Sequence, residues 1–66
     1  MSKINLDFIK EKRKEKNLTL QIMADKLGYK KASTYSNYEN GIYTIKADML
    51  PVLANIFGCE IQDFFS

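Results

Sequence analysis

Two short helical patterns stand close together in this chain, each stopped by a glycine and separated by the three residues Tyr29-Lys30-Lys31. The first is Thr19-Leu20-Gln21-Ile22-Met23-Ala24-Asp25-Lys26-Leu27-Gly28. Thr19 suits a helix start, because its hydroxyl can accept from the free N–H groups of the first turn. Ile22, Met23 and Leu27 give an apolar face, and Gly28 suits a left-handed stop. The second is Ala32-Ser33-Thr34-Tyr35-Ser36-Asn37-Tyr38-Glu39-Asn40-Gly41. Its spacing buries Tyr35 and Tyr38 and turns Ser33, Thr34, Ser36 and Asn37 outward. A short helix with small hydrogen-bonding groups outside can lie close in a groove, as reading base edges requires.

The rest of the chain is helical by the same signals. Helix 1 is expected from about Leu6 to Lys16, with Asn5 as N-cap, Asp7 in the first turn and Asn17 as a left-handed C-cap. Leu6 and Ile9 form its apolar stripe, with Phe8 at the edge. Helix 2 covers Leu20 to Leu27 and helix 3 covers Ala32 to Glu39. Ile42-Tyr43-Thr44-Ile45-Lys46 is the longest loop, and Ile42 or Ile45 is expected to pack inward. Helix 4 runs from about Met49 to Phe57, with Asp48 as N-cap and Pro51 in the first turn, where a missing N–H matters least. A start at Ala47 is the alternative. Leu50, Leu53, Ala54 and Phe57 form its core face. A short helix 5, Ile61 to Phe65, closes the core with Ile61, Phe64 and Phe65. The fold class is therefore all-α, with five helices in one domain spanning residues 1–66.

Composition excludes several function classes. There is no histidine and one cysteine, Cys59, so neither a Cys/His metal site nor an intrachain disulfide can form. Cys59 reads as a small apolar packing group. No carboxylate pair has a cleft-forming pattern, so an enzyme is not expected and no cofactor is implied. No apolar run approaches the roughly 18 residues of a membrane span, and a cytoplasmic protein is expected. A separate ligand-sensing domain has no room, so control is expected from concentration, proteolysis or a partner.

Charge is unevenly spread. Residues 1–31 carry nine positive against four negative groups, a balance of +5; residues 32–66 carry one against four, a balance of −3. A basic side of this kind suits a phosphate backbone. For helix 1 alone, the alternating Lys and Glu also fit a plain solvated face.

Certain runs carry a family resemblance: Ile9-Lys10-Glu11-Lys12-Arg13, Leu18-Thr19, Ala24-Asp25-Lys26-Leu27-Gly28, Tyr38-Glu39-Asn40-Gly41 and Leu53-Ala54-Asn55-Ile56-Phe57-Gly58. In this order and spacing, over about residues 5–65, the chain resembles the helix-turn-helix family of phage repressors and Cro proteins (lambda-repressor-like, or xenobiotic-response-element type). The resemblance implies helices 2 and 3 as the DNA-binding unit and helix 3 in the major groove. It further implies operator binding, usually repression, by a homodimer on a pseudo-palindrome. It pairs Arg13 of helix 1 with Glu39 at the end of helix 3 as a structural ion pair.

In the family's register Ala32, Ser33 and Asn37 face bases, with Lys31 and Ser36 at the margin. Asn37 could bond adenine at two points, Ser33 could donate or accept, and Ala32 could touch a thymine methyl. Phosphate contacts are expected from Lys30, Thr34, Asn40, Tyr43, Thr44 and Lys46, and from the N–H groups opening helix 2 at Thr19, Leu20 and Gln21. Ile56, Ile61, Gln62 and Phe65 are candidates for a dimer interface. The chain departs from the family pattern in three places. The turn between helices 2 and 3 is one residue longer than usual, Leu20 stands where glutamine is usual, and Ile45-Lys46 stand where a proline and a cap often open helix 4. A helical protein-interaction module, antitoxin-like or partner-docking, is the competing expectation on the same scaffold.

Overall fold

The computed structural model describes residues 3–65. Side-chain caps begin its first two helices. In α1, Leu6–Glu15, the Asn5 side chain accepts from the Phe8 N–H at 3.1 Å. Asp7 lies in the first turn and Lys12, Arg13 and Lys14 in the last, each favoured there by the helix dipole. The helix ends one residue before the expected Lys16. Asn17 then takes a left-handed conformation, φ 56°, and Leu18 N–H bonds back to the Arg13 carbonyl at 3.0 Å.

α2, Leu20–Leu27, starts at Thr19, whose hydroxyl accepts from the Ile22 N–H at 3.1 Å. At its end Tyr29 N–H bonds the Ala24 carbonyl and Gly28 N–H bonds the Asp25 carbonyl, with Gly28 at φ 84°. This is the Schellman arrangement, which also turns the residue after glycine back onto the helix. The buried face is set by Met23 and Ala24, with Leu20 and Leu27 half-buried beside them. Ile22, expected on that face, is exposed instead. Residues 20, 23, 24 and 27 repeat at helical spacing, and Ile22 lies about 100° away from its neighbour Met23.

α3, Ala32–Glu39, buries Tyr35, Tyr38 and Glu39, which share one stripe by i, i+3, i+4 spacing. Its packing partner above all is α2. α4, Met49–Phe57, buries Met49, Leu50, Leu53, Ala54 and Phe57. Asp48 does not cap it: its backbone is already helical and its side chain makes no cap bond. Met49 N–H bonds the Lys46 carbonyl and Leu50 N–H bonds the Ala47 carbonyl, so the chain winds up a turn earlier than an Asp48 cap requires.

The fifth helix is not an α-helix. Ile61–Phe64 is a single 3-10 turn, so the described residues hold four α-helices and this turn. Only Phe64 seals the core; Ile61 and Phe65 are 41% and 38% exposed. A four-residue segment offers one inward direction, and Phe64 takes it. Its ring meets Phe8 edge-on, with centroids 5.7 Å apart, and lies 6.3 Å from Phe57. Phe65 pairs with Ile4 in an isolated antiparallel bridge, and Asn5 N–H bonds the Phe64 carbonyl, so both ends of the described chain are tied together. Each fully buried large apolar group, such as Leu53, Phe57 or Phe64, is worth about 1.5–3 kcal/mol. In a domain this small that sum meets an entropy cost of similar size.

Candidate nucleic-acid interface

α3 is held from behind by aromatic packing and by charge. Tyr35 and Tyr38 fix it in the core. At its C-terminal end Glu39 is only 3% exposed and meets Arg13 of α1. Arg13 Nε donates to Glu39 Oε2 at 2.9 Å and to Oε1 at 3.2 Å, and Nη2 donates to Oε1 at 3.0 Å. Nη1 donates to the Leu18 carbonyl at 3.1 Å, which ties in the connection between α1 and α2. These bonds to Glu39 hold the Arg13 pKa above its ordinary value, against the smaller opposing effect of burial. The Tyr35 hydroxyl is buried and has no hydrogen-bond partner. Burial first, and the nearby Glu39 carboxylate second, push its pKa well above the usual phenol range.

On the outer side, Ser33 is exposed, while Ala32, Thr34, Ser36 and Asn37 are half-buried. Lys30 and Lys31 are exposed just before the helix. Lys31 occupies the N-cap without a side-chain cap bond. The side chains of Ser36 and Asn40 are engaged with each other, Asn40 Nδ2 donating to Ser36 Oγ at 3.1 Å. Of the groups opening α2, Thr19 is exposed but spends its hydroxyl on the Ile22 N–H. Leu20 is half-buried against the core. The exposed Gln21 donates to Asp25 Oδ1 at 3.0 Å.

The loop after α3 is tied to it through the Asn37 backbone. The Asn37 carbonyl accepts from Ile42 N–H at 2.9 Å and Tyr43 N–H at 3.1 Å. Ile45 packs on the core, whereas Ile42 is 69% exposed beside the end of α3. Tyr43, Thr44 and Lys46 are exposed along the same loop. Of the residues expected at a dimer contact, Ile61, Gln62 and Phe65 lie exposed together at the C-terminal turn, and Ile56 is half-buried on the core.

By sequence, Tyr29 is placed only in the turn between helices 2 and 3. Its ring stacks on Tyr38, centroids 5.5 Å apart and planes 16° apart, and its hydroxyl donates to Met49 Sδ at 3.6 Å. Burial, and then the neighbouring Tyr38, raise its pKa. The signal that could have found it is its place one residue after a helix-ending glycine, where an apolar group folds back.

Two surface clefts flank these elements. One, about 230 Å³, is lined by Lys26, Leu27, Tyr29, Lys46, Asp48, Met49 and Val52. The other, about 370 Å³ and mostly apolar, lies between Ile4, Leu6, Gly41, Tyr43, Ile45 and Phe65. Among the described residues no group of histidine, cysteine, aspartate or glutamate could hold a metal ion. The half-buried Cys59 is a free thiol whose pKa is raised by burial and then by Asp63. Among the described residues no helix is long and apolar enough to cross a membrane.

Comparison with known proteins agrees with this arrangement. A family model described as helix-turn-helix matches residues 9–64. The chain is also 46% identical over 54 residues to the HTH-type transcriptional regulator AnsR of Bacillus subtilis (strain 168), a stretch covering 82% of this chain. The chain spans 46% of that relative's length. No solved structure gives a significant match. With α2 and α3 as its central pair, the chain belongs to the Cro/C1-type helix-turn-helix family, a class of DNA-binding regulators and not of enzymes.

Proposed function

We propose that this chain is a cytoplasmic, sequence-specific double-stranded DNA-binding regulator of transcription that represses by occupying an operator. α3 enters the major groove. Asn37 makes a two-point contact with adenine, Ser33 and Ala32 read neighbouring base edges, and Lys31 and Ser36 work at the margin. Lys30, Thr34, Asn40, Tyr43, Thr44, Lys46 and the N–H groups at Thr19, Leu20 and Gln21 fix the register on phosphates. Two copies join through Ile61, Gln62 and Phe65, with Ile56 beneath, to place two reading helices on a pseudo-palindrome.

The observation that carries this function is the pose of α3. Its large groups and its one carboxylate are buried behind it, while on its outer side Ser33 is exposed and Thr34, Ser36 and Asn37 are half-buried. A helix with small side chains on one side and large ones locked behind can approach base edges closely.

The test is selection of bound duplexes from a random library at two stated salt concentrations. Enrichment of a two-fold symmetric site is expected, with affinity falling as salt rises by a slope of about 0.9 per phosphate contact. A chain that enriches no duplex, or that keeps a protein partner through Ser33 and Asn37 instead, contradicts the proposal and favours an interaction module.

A further inference from the structure

Three tyrosine rings run along one side of α3 and connect the turn before it to the loop after it. Tyr29, in the turn, stacks on Tyr38 of the helix. Tyr38 meets Tyr43, in the loop, edge-on at 5.3 Å with planes 73° apart. Each end of this file adjoins a candidate phosphate-contacting group: Lys30 comes after Tyr29, and Tyr43 is itself such a group and is followed by Thr44. Backbone bonds also hold both segments, Tyr29 N–H to the Ala24 carbonyl and Ile42 and Tyr43 N–H to the Asn37 carbonyl. Lys31 makes no side-chain cap bond at the start of α3, and Ile42–Lys46 contains no helix or strand. The turn is also stapled to the start of α4 by the Tyr29–Met49 contact.

Resting on the DNA-binding role above, we propose that Tyr29, Tyr38 and Tyr43 act as a spacer that sets the separation of the two phosphate-contacting arms flanking α3. Tyr29 then positions through its ring alone, and Tyr43 positions through its ring in addition to the phosphate contact of its hydroxyl. Loss of either ring frees one arm, and both arms can no longer meet one duplex without an ordering cost.

The experiment compares Tyr29→Phe, Tyr29→Leu, Tyr43→Phe, Tyr43→Leu and the Leu/Leu double variant. Each is assayed for binding to a duplex selected by the wild-type chain, at several salt concentrations, and for thermal unfolding. Both rings are less buried than Tyr38, so folded variants are expected. The Tyr29→Phe variant should bind within twofold of wild type, and Tyr43→Phe should lose only the phosphate contact of its hydroxyl while keeping the ring. Each Leu variant should lose about three- to tenfold in affinity against its Phe counterpart, the range of an aromatic pair, with a shallower salt slope. The double variant should lose little more than the worse single one, because either break already frees an arm.

A Tyr43→Phe variant as weak as Tyr43→Leu overturns the spacer, because the ring then adds nothing to the phosphate contact of the hydroxyl. Folded Leu variants with wild-type affinity and slope also overturn it. Failure of the wild-type chain to select any duplex is a different result, which removes the DNA-binding role itself and the spacer with it.

Discussion

Arg13 and Glu39 stand 26 residues apart in sequence and meet through three hydrogen bonds between their side chains. Because Arg13 also holds the Leu18 carbonyl, one guanidinium joins α1, the entry to α2 and the end of α3. Glu39 is the more deeply buried partner, at 3% exposure against 14% for Arg13. Its carboxylate therefore depends on that one cation for compensation.

Replacing Arg13 with methionine leaves this carboxylate buried and unpaired. A loss of about 3–5 kcal/mol is expected, comparable to the whole stability of a domain this size. Urea denaturation should find Arg13→Met largely unfolded at 25 °C. Glu39→Gln keeps the shape but weakens the bonds, for a loss of about 1.5–3 kcal/mol. Loss of DNA affinity should track the folded fraction in both. Two variants within 0.5 kcal/mol of wild type, inside the range of roughly 0–1 kcal/mol for exposed pairs, would make the contact a surface one.

Tyr35 gives a prediction in the alkaline range. Its folded pKa lies above the ordinary value of 10.0, chiefly because of burial. The folded chain thus keeps a proton that the unfolded chain releases above that value. Its contribution is complete below about pH 10 and falls as pH rises further. Denaturation at pH 8, 10 and 11 should show a decline above pH 10 that is shallower in Tyr35→Phe. At neutral pH that variant should be as stable as wild type, or up to about 1 kcal/mol more stable, because the hydroxyl it removes has no partner. A loss above 1 kcal/mol at neutral pH would mean that the hydroxyl is bonded.

Gly41 and Gly28 both have positive φ, but only one is crowded. A Cβ at Gly41 would lie 3.2 Å from Leu6 Cδ1, while one at Gly28 meets nothing within 4 Å. Gly28→Ala should cost about 1–2 kcal/mol from backbone strain alone. Gly41→Ala should cost more, because Leu6 must also move, and should displace the start of the loop that carries Tyr43. Thermal unfolding of the pair checks this, and equal losses would contradict it.

Local chemistry made most of the helices legible. Asn5, Thr19, Asn17, Gly28 and Gly58 each mark a boundary through a bond or backbone state that depends on neighbours in sequence. What escaped depended on distant packing. Ile22 is apolar, yet α3 and the core take the other face of α2. Ile61 and Phe65 read either as core or as dimer contacts, and a four-residue 3-10 turn leaves both exposed while Phe64 turns inward. The spread of α3 into a tyrosine side and a small polar side was visible from periodicity. The Tyr29–Tyr38–Tyr43 file was not, because no local spacing brings a turn and a loop residue to the same helix.

The most direct test of α3 as the reading helix is the base preference of Asn37→Ala beside that of the wild-type chain, from the same random-duplex selection at fixed salt. Preference for adenine is expected to collapse at one position of each half-site, a loss of about 1–3 kcal/mol there, with thermal stability and salt slope unchanged. An unchanged preference in a folded Asn37→Ala chain would contradict the reading role of α3.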